Sequence, residues 1–342
     1  MKESETEGAI LEIIRMSTED GPGLRTTVFF KGCPLACVWC HNPESISPKP
    51  QIQWIGTNCI GCGICVETCP KKALKKTEKG IRIKLSVCDG CGLCAKECPT
   101  TAMELLGKKW NVLDLADELV KDRVYFEQSG GGVTLSGGEA SLQRDFCLEL
   151  LKELKERGIQ TALDTCGQIP QATLAELLPY VDILLYDIKE IDTAKHKQFT
   201  GSSNERILEN AAYVADYIKN SIPKKTLWIR TPVIPGATDT PENIRGIGDF
   251  INSHLHKTVS RWELCAFNNL CRDKYTRLEI DWPYARTELQ DKSLMEDLCS
   301  IAKSAAASIA ASGVVCWSGA TRLEPNAEGF PAEKQIPSVS GC

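Results

Sequence analysis

Along most of the chain, short β-branched apolar runs alternate with longer stretches whose apolar residues recur every three or four positions. The first pattern predicts buried strands and the second amphipathic helices, and their alternation predicts βα units around a parallel sheet. The predicted strands are 26–30, 133–136, 160–164, 183–187, 227–231 and 263–267. Val112, Leu115, Ala116, Leu119 and Val120 mark one helical face, and another helix begins near Leu142 and stops at Gly158. Further helices start at Ser203 and at Thr240-Pro241-Glu242, where a capping Thr precedes a first-turn Pro. Six parallel strands predict an incomplete barrel. A closed eight-stranded barrel is the alternative, because 314–317 reads as a further strand after the helical stretch 289–311. The tail 324–342 reads as irregular.

In parallel α/β folds, functional side chains gather at the carboxyl ends of the strands. Cys33 follows the first strand here, Gly137-Gly138-Glu139 the second and Asp164-Thr165 the third. Asp187-Ile188-Lys189 closes the fourth, Arg230 the fifth, and Asn268 follows the sixth. All six ends are predicted to face one cavity. For the acid and base at Asp187 and Lys189 the bland alternative is a surface ion pair. Arg230 is suited to a bidentate pair with a carboxylate, that of a ligand or of a structural Asp.

At 342 residues the chain is long enough for one large core and a smaller unit. No apolar run approaches the ~20 residues that span a bilayer, so a membrane is not expected as a partner. The net charge of −5 argues against sequence-independent nucleic-acid binding. The unusual feature is 18 cysteines. The first sixteen residues are acidic where a secretory signal is basic, and Glu12 breaks their apolar stretch, so we expect a reducing, cytoplasmic setting with thiolate ligands.

Two cysteine groups repeat one pattern, C-x2-C-x2-C-x3-C-P: Cys59, Cys62, Cys65, Cys69 and Cys88, Cys91, Cys94, Cys98. This is the bacterial ferredoxin spacing, in which the fourth thiolate crosses to the other [4Fe–4S] cluster. Cluster A is therefore expected on Cys59, Cys62, Cys65 and Cys98, and cluster B on Cys88, Cys91, Cys94 and Cys69. Structural zinc is the competing reading, and it fits two such runs poorly. The first group, Cys33, Cys37 and Cys40, has only three members. Three thiolates on a cubane leave one iron open for a ligand, unless His41 or Cys166 closes the site.

The string from Arg15 through Asp20-Gly21-Pro22-Gly23-Leu24-Arg25 to Gly32-Cys33, continuing through Trp39-Cys40-His41-Asn42-Pro43, resembles glycyl radical enzyme activating enzymes of the radical S-adenosylmethionine superfamily. The likeness runs from about residue 10 to 275. It implies a partial (βα)6 TIM-like barrel with an inserted ferredoxin-like α+β domain. The units are then 1–50 with the CxxxCxxC loop, 51–104 with two [4Fe–4S] clusters, 105–323 completing the barrel, and the tail 324–342.

The same resemblance implies three [4Fe–4S] clusters, with Cys33, Cys37 and Cys40 holding the catalytic one. S-adenosylmethionine is then bound by Trp39, Cys40, His41, Gly137, Gly138, Glu139, Asp187, Ile188, Lys189, Arg230 and Asn268, with Glu139 accepting from its ammonium group. Asp164, Thr165 and Asp187 are implied holders of a monovalent cation, and Asp20, Gly21 and Gly23 the grip on a partner's glycine loop. The implied activity is reductive cleavage of S-adenosylmethionine and hydrogen abstraction from a glycine Cα of a glycyl radical enzyme. Electrons are expected from flavodoxin or ferredoxin, with clusters A and B as a relay, a docking surface or structural staples. The chain departs from the family pattern at Ala140 (usually Pro), Asn268 (usually His), Ala266 and Cys271. Cys147, Cys265 and Cys299 read as core residues, while Cys166, Cys271, Cys316 and Cys342 receive no role.

Overall fold

All six predicted runs are strands, and the sheet they build is larger than predicted. The structure, a computed structural model, describes residues 6–255, 257–310 and 313–322. In chain order its strands are β1 (Glu7–Ser17), β2 (Arg25–Phe30), β3 (Gln51–Trp54), β4 (Leu74–Thr77), β5 (Gly80–Ile83), β6 (Met103–Leu106) and β7 (Lys108–Asn111), followed by β8 (Gly132–Gly137), β9 (Thr161–Thr165), β10 (Ile183–Asp187), β11 (Thr226–Val233), β12 (Val259–Ala266) and β13 (Val314–Ser318). Nine of them form one sheet, in the order β7-β1-β2-β8-β9-β10-β11-β12-β13. From β2 to β13 every neighbouring pair is parallel. The expected six parallel strands are thus seven. The run at 314–317 supplies the seventh, yet the sheet stays an open arc with β7 and β13 at its edges.

The edge pair was not expected from the sequence. β1 lies antiparallel on β2, and β7 lies antiparallel on β1. Its register slips between Ile10 and Glu12 and again between Ile14 and Ser17, so its apolar residues never alternate cleanly. The tail 324–342 lies outside the described residues.

Helices cover the outer face of the arc. Leu150 and Leu154 of Arg144–Glu156, Val214 of Glu205–Lys219 and Ile247 of Pro241–His254 join Leu135, Leu163 and Ile229 of the strands in one core. Thr240 caps as expected, its hydroxyl accepting from Asn243 N at 3.2 Å. Near Leu142 a single tight turn, Ala140–Gln143, precedes the helix proper. The inner face is polar: Arg25 is fully buried and donates to Thr134 at 2.7 Å and Gln160 at 2.8 Å.

Residues 51–106 leave the main sheet. β3 and β6 pair antiparallel at the two ends of this segment, and β4 and β5 form a hairpin between them. Short helices Ile64–Thr68 and Leu93–Lys96 start at Gly63 and Gly92, both with φ near +80° (85° and 79°), at equivalent places in the two cysteine runs. The buried cluster of this segment holds seven residues, two of them Cys65 and Cys94.

Candidate active site

At the carboxyl edge of the sheet lies a cavity of about 240 Å³. Cys37, Cys40, Asp164, Asp187, Lys189, Arg230 and Cys265 are among its walls, so the ends of β9, β10, β11 and β12 and the loop after β2 meet there, whereas Gly137-Gly138-Glu139 after β8 and Asn268, expected at the same cavity, do not line it. Asp187 and Lys189 lie two residues apart, face the same side and form an ion pair. Arg230 approaches Asp164 at 3.6 Å, leaving its own Nε and Asp164 Oδ1 without a partner, while Ser136 donates to Asp164 Oδ2 at 2.6 Å. Burial, opposed by Arg230 and reinforced by Asp187 and Asp20, pushes the Asp164 carboxyl up to about 6. Burial alone would lower Lys189, but Asp187 overrides it and holds the ammonium form.

The cysteine loop is fixed from two sides. Ala36 N and Val38 N donate to the carbonyls of Thr200 and Phe199 at 2.8 and 3.0 Å. On the other side, Tyr275 donates to the Cys40 carbonyl at 2.8 Å and Trp282 to the Val38 carbonyl at 3.0 Å. Trp39 is buried in this packing, 5.9 Å from Phe199 between ring centroids. Burial raises the Cys37 thiol to about 11 and raises Cys40 further, outweighing the opposing pull of the Lys189 ammonium on both. A hydrogen bond from the Cys166 thiol lowers Cys33. Among the described residues no three His, Cys, Asp or Glu side chains converge as they would on a single ion. A cubane spreads its thiolates over separate irons, so it tolerates spacings that a lone tetrahedral zinc does not.

Of the two side chains able to close a fourth corner, His41 is engaged: its Nε2 lies 3.0 Å from the Asn268 carbonyl, and burial lowers its pKa. Asn268 therefore meets the site through its backbone, and its side-chain oxygen accepts from Leu270 N at 3.2 Å. Cys166 is buried beside Cys33 at the end of β9.

The Gly137-Gly138-Glu139 turn is pressed against the chain leading into Cys33. A Cβ at Gly137, where φ is +113°, would stand 2.1 Å from Phe30 N, and one at Gly138 would stand 2.2 Å from the Gly32 carbonyl oxygen. Glu139 points inward. It is fully buried and accepts from Ser141, from Thr165 Oγ1 at 2.9 Å and from Cys166 N at 2.8 Å. Thr165 is thereby turned from Asp187 toward Glu139. Ile188 is buried, its N–H donating to the Arg230 carbonyl at 3.0 Å.

Asp20, Gly21 and Gly23 precede β2, at the amino end of that strand. Gly21 and Gly23 border a second cavity, of about 620 Å³, with Trp228, Arg261 and Glu263. Asp20 accepts from Ser17 at 2.6 Å and Thr27 at 2.7 Å. Gly23, at φ +73°, leaves no room for a side chain, its Cβ falling 2.5 Å from Gly131 N.

In the 51–106 segment two small cavities are lined by cysteines. One meets Cys59, Cys62, Cys65 and Cys98, and the other meets Cys69, Cys88, Cys91 and Cys94. The fourth cysteine of each run sits with the first three of the other. Ala73 N donates to Cys69 Sγ at 3.3 Å and Met103 N to Cys98 Sγ at 3.4 Å.

Sequence reasoning missed several residues. Trp282 carries no motif, and Tyr275, at the end of the stretch that resembles the family, received no role. Cys265 was expected in the core but lines the cavity beside Arg230, and burial raises its thiol to about 11. Cys147 and Cys299 are buried as expected, and Cys342 lies outside the described residues. No described helix is long and apolar enough to cross a membrane.

Residues 27–246 match the radical SAM superfamily. The chain is 37% identical to the (2S)-3-sulfopropanediol dehydratase activating enzyme of Klebsiella oxytoca, over 86% of this chain and 93% of that protein. It is 41% identical to the trans-4-hydroxy-L-proline dehydratase activating enzyme of Clostridioides difficile, over 83% and 91%. A radical SAM methyltransferase from Sphaerobacter thermophilus shares the fold, with a TM-score of 0.50 at 11% identity over 91% of this chain and 78% of that one. A three-cysteine loop at the carboxyl edge of a mostly parallel sheet, together with relatives of this kind over nearly their whole length, means that the chain belongs to the radical SAM superfamily, among the activating enzymes of glycyl radical enzymes.

Proposed function

We propose that this chain activates a partner glycyl radical enzyme, taking a hydrogen atom from one glycine Cα and leaving a stored glycyl radical, with methionine and 5′-deoxyadenosine as the other products. The observation that carries it is the placement of the half-buried Cys33-Cys37-Cys40 loop, whose Cys37 and Cys40 line a cavity together with Asp164, Asp187, Lys189 and Arg230. Those thiols suit a [4Fe–4S] cluster which, with S-adenosylmethionine, supplies the 5′-deoxyadenosyl radical. The residues of the chain position and shield. Arg230, with a free Nε, and Lys189 offer donors to a carboxylate, and Asp164 and Asp187 offer acceptors to an ammonium group or a monovalent cation. Trp39 and His41 shape the walls, Gly137 and Gly138 let the turn approach the chain leading into Cys33, Ile188 ties the end of β10 to β11, and Asn268 orients His41. Glu139 acts by fixing the turn, since its oxygens are already used. Asp20, Gly21 and Gly23 border the route by which the partner's loop reaches the interior.

Residues 51–104 form, on this reading, a ferredoxin-like unit within a barrel made of 1–50 and 105–323. Cluster A takes Cys59, Cys62, Cys65 and Cys98, and cluster B takes Cys69, Cys88, Cys91 and Cys94, supported by the two cavities so lined. Three clusters, a low-potential donor such as ferredoxin or flavodoxin and a reducing cytoplasm complete the proposal. The test is anaerobic reconstitution, addition of S-adenosylmethionine and dithionite, and chromatography. 5′-Deoxyadenosine is expected, with a glycyl radical signal once the partner is added. Three ordinary redox clusters and no cleavage would mark an electron carrier instead.

A further inference from the structure

The whole-chain charge of −5 conceals a local excess of the opposite sign. Seven of the fourteen residues from Lys71 to Lys84 are basic and one, Glu78, is acidic. All eight side chains are exposed, on the β4–β5 hairpin and its flanks. Lys71 approaches Asp89 at 3.8 Å and Arg82 approaches Glu279 at 3.7 Å, whereas Lys72, Lys75, Lys79 and Lys84 make no ion pair among the described residues. Lys76 reaches the first cysteine run, donating to the Gly61 carbonyl at 2.6 Å.

The two runs, alike in sequence, differ in what covers them. A Cβ at Gly90 would stand 2.3 Å from the Pro50 carbonyl oxygen and one at Gly92 would stand 3.0 Å from Leu105, so the second run is pressed against the chain arriving from the barrel loop. At Gly63 nothing lies within 4 Å, and at Gly61 only the Lys76 ammonium does. Beside these glycines Ile60 is 69% exposed and Ile64 39% exposed; Ile64 is matched in the second run by Leu93, itself 42% exposed, so the two runs differ in apolar exposure at Ile60, which Asp89 replaces. The first run thus presents an uncovered apolar spot with the Lys76 ammonium beside it, on the side where its helix packs on β4 of the lysine-rich hairpin.

We propose that this face, Ile60 and Ile64 beside the lysine-rich hairpin, docks an acidic one-electron carrier of the ferredoxin type. The inference rests on the cluster assignment above. An apolar spot beside a patch of one charge steers an oppositely charged protein and lets it leave quickly, as repeated electron delivery requires. One electron passes from the donor's reduced cluster, which is oxidised, to the cluster on Cys59, Cys62, Cys65 and Cys98, which is reduced. No proton moves and no bond is made or broken. Nucleic acid also favours lysines, but it has no use for the exposed isoleucines.

The test compares the reconstituted wild type with a Lys72→Glu/Lys75→Glu/Lys79→Glu variant and an Ile60→Asp variant. The readout is 5′-deoxyadenosine formation driven by dithionite or by a reduced acidic two-cluster ferredoxin. The expected result is a dithionite rate unchanged in both variants. With ferredoxin, kcat/KM falls by about tenfold or more in the lysine variant at low salt, and the gap closes as salt rises. Equal ferredoxin rates in variant and wild type, no salt dependence in the wild type, or tighter binding of a short DNA duplex than of ferredoxin each overturn the docking proposal. Absence of dithionite-driven cleavage in the wild type would instead overturn the underlying function.

Discussion

The hydroxyl of Tyr275 donates to the carbonyl of Cys40 at 2.8 Å while its ring stacks on Trp282, centroids 4.7 Å apart and planes 8° from parallel. Trp282 in turn donates to the Val38 carbonyl. The segment after β12 therefore clamps the cysteine loop after β2, far away in sequence. Tyr275→Phe keeps the stack and loses one hydrogen bond, so a loss of about 1 kcal/mol is expected, with iron content intact. Trp282→Ala opens a cavity beneath the loop, with an expected loss of roughly 3–5 kcal/mol and of the iron bound there. Denaturant unfolding and iron analysis check both, and equal effects of the two substitutions would contradict the clamp.

Gly137→Ala is expected to be among the most damaging single-methyl additions in the chain. The added carbon would meet Phe30 N at 2.1 Å, and φ of +113° is foreign to alanine. Either the β2–β8 pairing opens or the Cys33 loop shifts. Soluble yield and thermal midpoint read the outcome, and a drop of less than about 1 kcal/mol would show that the turn adapts freely. Gly158→Ala, with nothing within 4 Å, is the control for the left-handed conformation alone.

Asp164 gives the fold a pH dependence of known sign. Its folded pKa is raised, chiefly by burial, to about 6 from 3.8. Its contribution to stability is therefore fully present below the unfolded value and is lost as pH rises through about 6. Asp164→Asn cannot titrate. Between pH 4 and 6 the stability of the wild type should fall relative to that of the variant, and parallel unfolding curves across that window would refute the assignment.

The crossing of the fourth cysteines predicts an unequal pair of defects. On the proposed assignment, Cys98→Ser disturbs cluster A, whose other ligands are in the first run, and Cys69→Ser disturbs cluster B, whose other ligands are in the second. Each variant is compared with Cys62→Ser and Cys91→Ser by paramagnetic resonance of the reduced protein. If Cys98→Ser resembles Cys91→Ser rather than Cys62→Ser, the crossing is wrong. Because the buried apolar cluster of the 51–106 segment has seven members, two of them cysteines, chelation of the proposed clusters is expected to unfold it before the barrel.

What could be read in the sequence was whatever depends on short separations. The spacing of Cys33, Cys37 and Cys40 and the doubled C-x2-C-x2-C-x3-C-P run state their ligand chemistry locally, and short β-branched apolar runs gave all six predicted strands. β1 was hidden because its apolar residues form no such clean run and its register slips twice, and the strand is identified only by its partners β2 and β7. The inward turn of Glu139, the backbone role of Asn268, the place of Cys265 on the cavity wall and the contact of Cys166 with Cys33 were likewise illegible. Each depends on a neighbour tens to hundreds of residues away.

Taken by itself, the sequence determined which atoms are available for chemistry and how they are spaced along the backbone, since a loop of a few residues holds its thiolates near one another whatever surrounds it. Only the tertiary structure decided which way those atoms face. The direction of Glu139, the clamp on Cys40 and the uncovered face of the first cysteine run are set by packing between distant segments, where one hydrogen bond or one ring outweighs local preference.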